Sequence, residues 1–171
     1  TIDGRYYTGG VIGYFDSEDY SGAEAQKIHF NMNTNSVGNN ITSEYEGVGG
    51  LIGYGYNYHG TLSAGENNIS GAITSLDSSY AGGLLGYYEN DESTLQLAEN
   101  TSSGNIGADS YEAGGLIGYL DQYDGSSASL VNNTNGGSVG ANEYAGGLTG
   151  YIYQNNSSSY TSQGNSNSGD V

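Results

Sequence analysis

The chain has 171 residues with 31 Gly, 18 Tyr, no Pro, no Cys and no Trp, and only 35% are apolar, which excludes a layered globule with a thick aliphatic interior. Two Lys plus Arg stand against 19 Asp plus Glu, a formal charge of -17, which excludes nucleic acid and anionic lipid as partners and suits a saline or calcium-rich extracellular setting. Without cysteine there is neither a disulfide framework nor a thiolate metal site, and no apolar run approaches the roughly 20 residues of a membrane-spanning helix.

The chain starts at Thr1 without Met or a signal peptide, the form expected of a processed exported product or of an excised piece. From Gly9 to Tyr14 runs GGVIGY; the string returns as GGLIGY at Gly49, GGLLGY at Gly82, GGLIGY at Gly114 and GGLTGY at Gly146. The last intervals are 32 to 33 residues and the first is 40, so an insertion loop of about seven residues is expected within residues 15–41. Other features recur with the string. A Tyr precedes it at Tyr7, Tyr45, Tyr80, Tyr111 and Tyr144; an aliphatic follows at Val37, Ile73, Ile106, Val139 and Val171. Asn33, Asn67, Asn100, Asn132 and Asn165 fall near one phase, as in the Asn ladders of solenoid corners.

Each unit reads as short β pieces separated by Gly, Asn, Ser and Asp, with no sustained 3.6-residue apolar period. One such unit cannot bury itself, but identical units stacked in register can. The expected fold is therefore all-β: a single domain over 1–171, a parallel β-solenoid of about five stacked repeats beginning near 9, 49, 82, 114 and 146. Within the string, the third position (Val11, Leu51, Leu84, Leu116, Leu148) is always aliphatic and is assigned inward. The fourth (Ile12, Ile52, Leu85, Ile117, Thr149) admits a polar residue and is assigned outward, beside stacked Tyr14, Tyr54, Tyr87, Tyr119 and Tyr151.

The strings resemble the GLUG repeat, named for Gly, Leu, a variable residue and Gly, here GLIG, GLLG or GLTG, with Val11 departing in the first copy. The resemblance covers essentially the whole chain. It implies a secreted or cell-surface repeat region that is not catalytic, serving as stalk, adhesin or scaffold. The residues agree on the absence of catalysis: His29 and His59 lie in different units, Arg5 and Lys27 are the only cations, and no zinc or phosphate-loop spacing occurs.

No cofactor is expected apart from calcium, for which Asp16, Glu18, Asp19, Glu89, Asp91, Glu92, Asp121 and Asp124 are the candidate oxygen ligands. Their spacing matches no calcium motif, and a solvated acidic edge is the simpler reading. Candidate N-glycosylation sites are Asn40, Asn68, Asn100, Asn132, Asn155 and Asn156; Asn68, Asn100 and Asn132 fall within a residue of one phase, so glycans there would line one edge. At the ends, Val171 shares the phase of Val139, and TIDGRYYTGG supplies the interval due before another string. Thr1, Ile2, Tyr6, Tyr7, Asp170 and Val171 are thus the expected contacts of a head-to-tail homopolymer. The function expected is an extracellular structural protein, subunit or section of a surface filament or stalk. The alternative is an adhesin module that binds glycan or protein through Tyr-rich faces.

Overall fold

The computed structural model describes residues 1–17, 29–77, 79–109 and 111–171, and among them every regular element is a β-strand. The strands form five sheets, each of five parallel strands, one from each stacked coil. The fold is a parallel β-solenoid. Sheet A comprises Ile2–Gly4, Ile41–Ser43, Ile73–Ser75, Ile106–Ala108 and Val139–Ala141. Sheet B comprises Thr8–Gly9, Val48–Gly49, Ala81–Gly82, Glu112–Gly114 and Tyr144–Gly146. Sheet C, the longest, comprises Ile12–Asp16, Ile52–Tyr58, Leu85–Asp91, Ile117–Tyr123 and Thr149–Gln154. Sheet D comprises His29–Asn33, Thr61–Gly65, Thr94–Ala98, Ser127–Val131 and Ser159–Gln163; sheet E comprises Ser36–Val37, Asn68–Ile69, Thr101–Ser102, Thr134–Asn135 and Ser166–Asn167.

One repeat makes one large coil. In the first, Tyr14 pairs with Tyr54, forty positions on, whereas His29 pairs with Thr61, thirty-two on, so the extra residues fall between Asp16 and His29. The phase of the first coil follows from this. Val37 pairs with Ile69 in sheet E, and it is Ile41 that aligns with Ile73, Ile106 and Val139, which corrects the placing of Val37.

The glycines of the string explain its invariance. A Cβ on the second Gly would meet the carbonyl oxygen of the equivalent Gly one coil on: Gly50 against Gly83 at 2.2 Å, Gly83 against Gly115 at 2.1 Å. The chain bends there, and sheet C begins only at the fourth position. Across a bend, strict alternation does not hold. Leu51 and Ile52, Leu84 and Leu85, and Leu116 and Ile117 are all fully buried, so the fourth position faces the core, not the outside. Pairing then passes over the Gly86–Gly118 step, from Leu85↔Ile117 to Tyr87↔Tyr119. Beyond it alternation resumes, Tyr outward and its successor inward.

The core is narrow and continuous. Leu62, Ile69, Ile73, Leu95, Leu97 and Tyr88 join the string's aliphatics at zero exposure. Each of the aliphatic side chains contributes on the order of 1.5–3 kcal/mol by leaving water. The end coils are covered on one side only, so Ile2, Ile12, Phe15 and Phe30 at one end, and Leu148, Ile152 and Tyr160 at the other, stay partly exposed.

Between sheets D and E the chain turns through Thr34, Glu66, Glu99, Asn132 and Gly164, all at positive φ. The next residue in each coil is Asn35, Asn67, Asn100, Asn133 or Asn165, and these form the ladder: each Nδ2 donates to the Oδ1 of the next Asn at 2.8–2.9 Å. Asn33 and Asn132 are therefore not its members. Asn33 ends a sheet D strand, while Asn132 occupies the left-handed corner, where a short polar side chain is tolerated.

Candidate functional site

The outer face of sheet C carries three rows of functional groups. In the first, Tyr14, Tyr54, Tyr87, Tyr119 and Tyr151 stack with ring centroids 5.2, 5.1, 5.1 and 5.0 Å apart. Parallel in-register pairing forces that spacing on identical side chains. The second row, two positions on, mixes acid and ring: Asp16, Tyr56, Glu89, Asp121, Tyr153. The third holds Tyr58, Asp91 and Tyr123.

Phenols and carboxylates are linked between rows. Tyr87 donates to Asp121 Oδ2 at 2.8 Å, Tyr14 to Asp16 Oδ2 at 3.1 Å, Tyr54 to Glu89 Oε2 at 3.4 Å, and Tyr56 to Asp91 Oδ2 at 3.4 Å. Glu89 and Asp121 are direct neighbours in the ladder. Burial, and for Glu89 the adjoining Asp121 charge, push the carboxyls of Glu89, Asp91 and Asp121 above their ordinary values; burial also lifts the phenols of Tyr54, Tyr87 and Tyr119, and takes Tyr123 up to about 12.

Sheet B adds a second layer of rings with a two-coil period. Tyr7 lies 5.3 Å from Tyr14 and 4.9 Å from Tyr54, Tyr80 lies 5.2 Å from Tyr87 and 5.0 Å from Tyr119, and Tyr144 lies 5.4 Å from Tyr151. In the second and fourth coils that position belongs to Gly47 and Glu112, since Thr8 pairs with Val48 and Glu112 with Tyr144. Tyr45 and Tyr111 are thus out of phase with Tyr7, Tyr80 and Tyr144; they stack on Tyr6 and Tyr80.

Glu112, standing where odd coils have Tyr, is 6% exposed and its Oε2 has no partner. Desolvation, then the Glu143 charge, raise its pKa from 4.5 to about 7. A carboxyl whose pKa is raised on folding contributes stability that is fully present below its unfolded value and lost as pH rises through the folded one. Glu89, Asp91 and Asp121 shift in the same direction. The chain should therefore melt at a lower temperature at pH 8 than at pH 5, and Glu112→Gln should recover about 1–2 kcal/mol at pH 8 once solvent screening is allowed for. Thermal melts across pH check this; a variant with the unaltered slope would remove Glu112 as its source.

The remaining sequence candidates are dispersed. Glu92 meets His59 Nε2 at 2.6 Å, and Asp124 accepts from Asn156 Nδ2 at 2.6 Å, both at the corner beyond sheet C. Glu18 and Asp19 lie outside the described residues. Among the described residues no group of three or more His, Cys, Asp or Glu side chains converges as a metal would require.

Of the glycan candidates, Asn40, Asn68, Asn132, Asn155 and Asn156 are exposed. Asn100 is not. At 1% exposure, with its amide committed to Ala64 O and Asn133 Oδ1, it offers no acceptor nitrogen in the folded chain. Asn68 follows the ladder and Asn132 precedes it, so these three do not share one edge position.

Thr1, Ile2, Tyr6 and Tyr7 lie in the first coil, where Ile2 N donates to Asn40 O at 2.8 Å. Asp170 and Val171 lie beyond the fifth. Val139 N donates to Asp170 O at 2.8 Å, the bond that Ile106 N makes to Ser138 O, so Asp170 already stands on a sixth level.

Comparison of the chain with protein-family models, curated proteins and solved structures finds no match.

Proposed function

We propose that the chain is an extracellular structural element, a subunit or section of a surface filament or stalk lengthened by end-on addition of coils. The observation that carries this reading is the continuity of the ladders. Backbone pairing, the glycine stack, the Asn amides and the Tyr row run through all five coils, and both outer coils repeat the interior pattern. Each end thus offers half-paired strands beside partly covered apolar groups: Phe15 and Phe30 at one, Leu148 and Ile152 at the other. Such an edge templates a further coil, from another copy or from continuing polypeptide. The resemblance of the strings to GLUG repeats of secreted proteins supports the same reading, and no catalytic role is proposed.

Negative-stain microscopy with light scattering over a range of protein concentration tests it. Fibres one subunit wide are expected from this chain, and Ile152→Lys, placing a charge on the open end, should abolish them. Monomers that persist as concentration rises would overturn end-on assembly between copies.

The second reading is a lateral binding module, favoured by the rings and carboxylates on the outer face of sheet C.

A further inference from the structure

The chain has few side chains from which an electron can be taken. Cysteine and tryptophan are absent, and the single methionine, Met32, is buried at 4% exposure. One-electron oxidation therefore falls on the 18 tyrosines.

Loss of an electron makes a phenol strongly acidic, so oxidation is easiest where the hydroxyl already donates to a base. Three consecutive rings of the sheet C row meet that condition: Tyr14 donates to Asp16, Tyr54 to Glu89 and Tyr87 to Asp121. Burial of Glu89 and Asp121 strengthens both as proton acceptors. The five rings lie face to face with centroids 5.0–5.2 Å apart, and Tyr14 at one end is exposed. An electron vacancy formed at Tyr14 can thus pass from ring to ring. The faces that stacking closes to other molecules are the ones that carry it.

The row itself does not trap the vacancy. Phenoxyl radicals join through the ring carbons beside the oxygen, and rings within 6–22° of parallel keep those edges a coil apart. Tyr7 and Tyr80 are placed differently. Tyr7 lies 4.9 Å from Tyr54 at 52°, and Tyr80 lies 5.0 Å from Tyr119 at 59°. Directly joined phenol rings are likewise twisted out of one plane, so a small rotation brings the reacting carbons together. Both pairs also cross from one coil to the next.

We propose that the sheet C tyrosine row, with Tyr7 and Tyr80, is an oxidative cross-linking site. There a one-electron oxidant, such as a peroxidase acting with hydrogen peroxide, couples Tyr7 to Tyr54 and Tyr80 to Tyr119. For each link, two oxidant equivalents take one electron each, and two phenolic protons leave by way of the carboxylates to water. One carbon–carbon bond forms between the rings. The hydrogen on each joined carbon then moves to that ring's oxygen and restores the phenol, so the net loss is two electrons and two protons. Such links restrict the unfolded chain as a disulfide would, in a chain without cysteine.

Treatment of the dilute whole chain with a peroxidase and hydrogen peroxide tests the site. Dityrosine fluorescence should appear, the intact mass should fall by two hydrogens for each link, and mapped fragments should join Tyr7 to Tyr54 and Tyr80 to Tyr119 within one chain. Tyr7→Phe with Tyr80→Phe, which keeps the rings, should abolish both links. Tyr45→Phe with Tyr160→Phe, which removes as many phenols away from the row, should leave them unchanged. Asp16→Asn, Glu89→Gln and Asp121→Asn together, which keep acceptors for the hydroxyls but remove the bases, should slow linking at least about tenfold. Links chiefly between chains, links spread over the other tyrosines, a yield unaltered by loss of the Tyr7 and Tyr80 hydroxyls, or a rate unaltered by loss of the three carboxylates would each overturn the proposal. None of these outcomes depends on whether fibres form.

Discussion

Gly83→Ala should unfold the chain, whereas Gly107→Ala should leave it as stable or slightly more so. A Cβ at Gly83 would stand 2.1 Å from Gly115 O and 2.4 Å from Ser102 Oγ. The serine hydroxyl can turn away, but the carbonyl cannot, because backbone bonds hold it between coils: Gly83 N donates to Gly114 O at 3.2 Å and Gly115 N to Gly146 O at 3.0 Å. Relieving the clash means separating two coils along the stack, which breaks parallel pairing in the flanking sheets. The expected cost exceeds about 4 kcal/mol. Gly107, in sheet A, has nothing within 4 Å of its would-be Cβ and no positive φ, so alanine there only restricts the unfolded chain. Circular dichroism melts of the two variants check the pair; a folded Gly83→Ala would show that the coils can part without loss of the sheets.

The contrast explains which parts of the fold were legible in the sequence. Five recurrences of one string imply stacked coils, and stacking of identical side chains implies ladders; neither step needs the loops. Facing was legible only where alternation is unbroken. Ile52 reads as a neighbour of Tyr54 on one side of a strand, yet the Gly53 step lies between them and places one in the core and the other outside. Phase was legible only where loop lengths are constant. Two residues back from each string stand Tyr7, Gly47, Tyr80, Glu112 and Tyr144, the observed ladder; taking the nearest Tyr instead selects Tyr45 and Tyr111, four and three residues back, in a stretch between sheets A and B whose length varies.

A second glycine ladder went unread. Gly71, Gly104, Gly137 and Gly169 stack with would-be Cβ atoms 1.9–2.0 Å from the carbonyl of the residue one coil before. Its signal was present two residues ahead of Ile73, Ile106, Val139 and Val171. The acid and ring row of sheet C had no such signal. Its positions hold Asp, Tyr, Glu, Asp and Tyr, and only the register, not any repeat of residue type, brings them together.

The Asn ladder is where side chains, not backbone, join the coils most directly, and Asn100→Asp is the change that tests it. Asn100 Oδ1 accepts from Asn67 N at 3.1 Å and from Asn67 Nδ2 at 2.8 Å; its own Nδ2 donates to Ala64 O at 2.9 Å and to Asn133 Oδ1 at 2.8 Å. Aspartate keeps the shape and the first oxygen. The second oxygen then faces two acceptors with no proton to offer, at a site 1% exposed. The expected loss at pH 7 is about 3–5 kcal/mol, the range for an uncompensated buried charge. Burial raises the carboxyl's pKa in the folded chain, so acidification should restore part of the loss as the protonated group donates to one of the two oxygens. Asn68→Asp, one residue on and exposed, should cost less than about 0.5 kcal/mol. Because Asn100 belongs to the central coil, the damage should divide the stack. Hydrogen exchange should rise first in the amides that bond across this level, Asn67 N and Asn100 N, while pairing near the ends is retained. Uniform exchange along the whole chain would instead mean that the five coils unfold as one unit, and that the ladder contributes no more at Asn100 than the sheets around it.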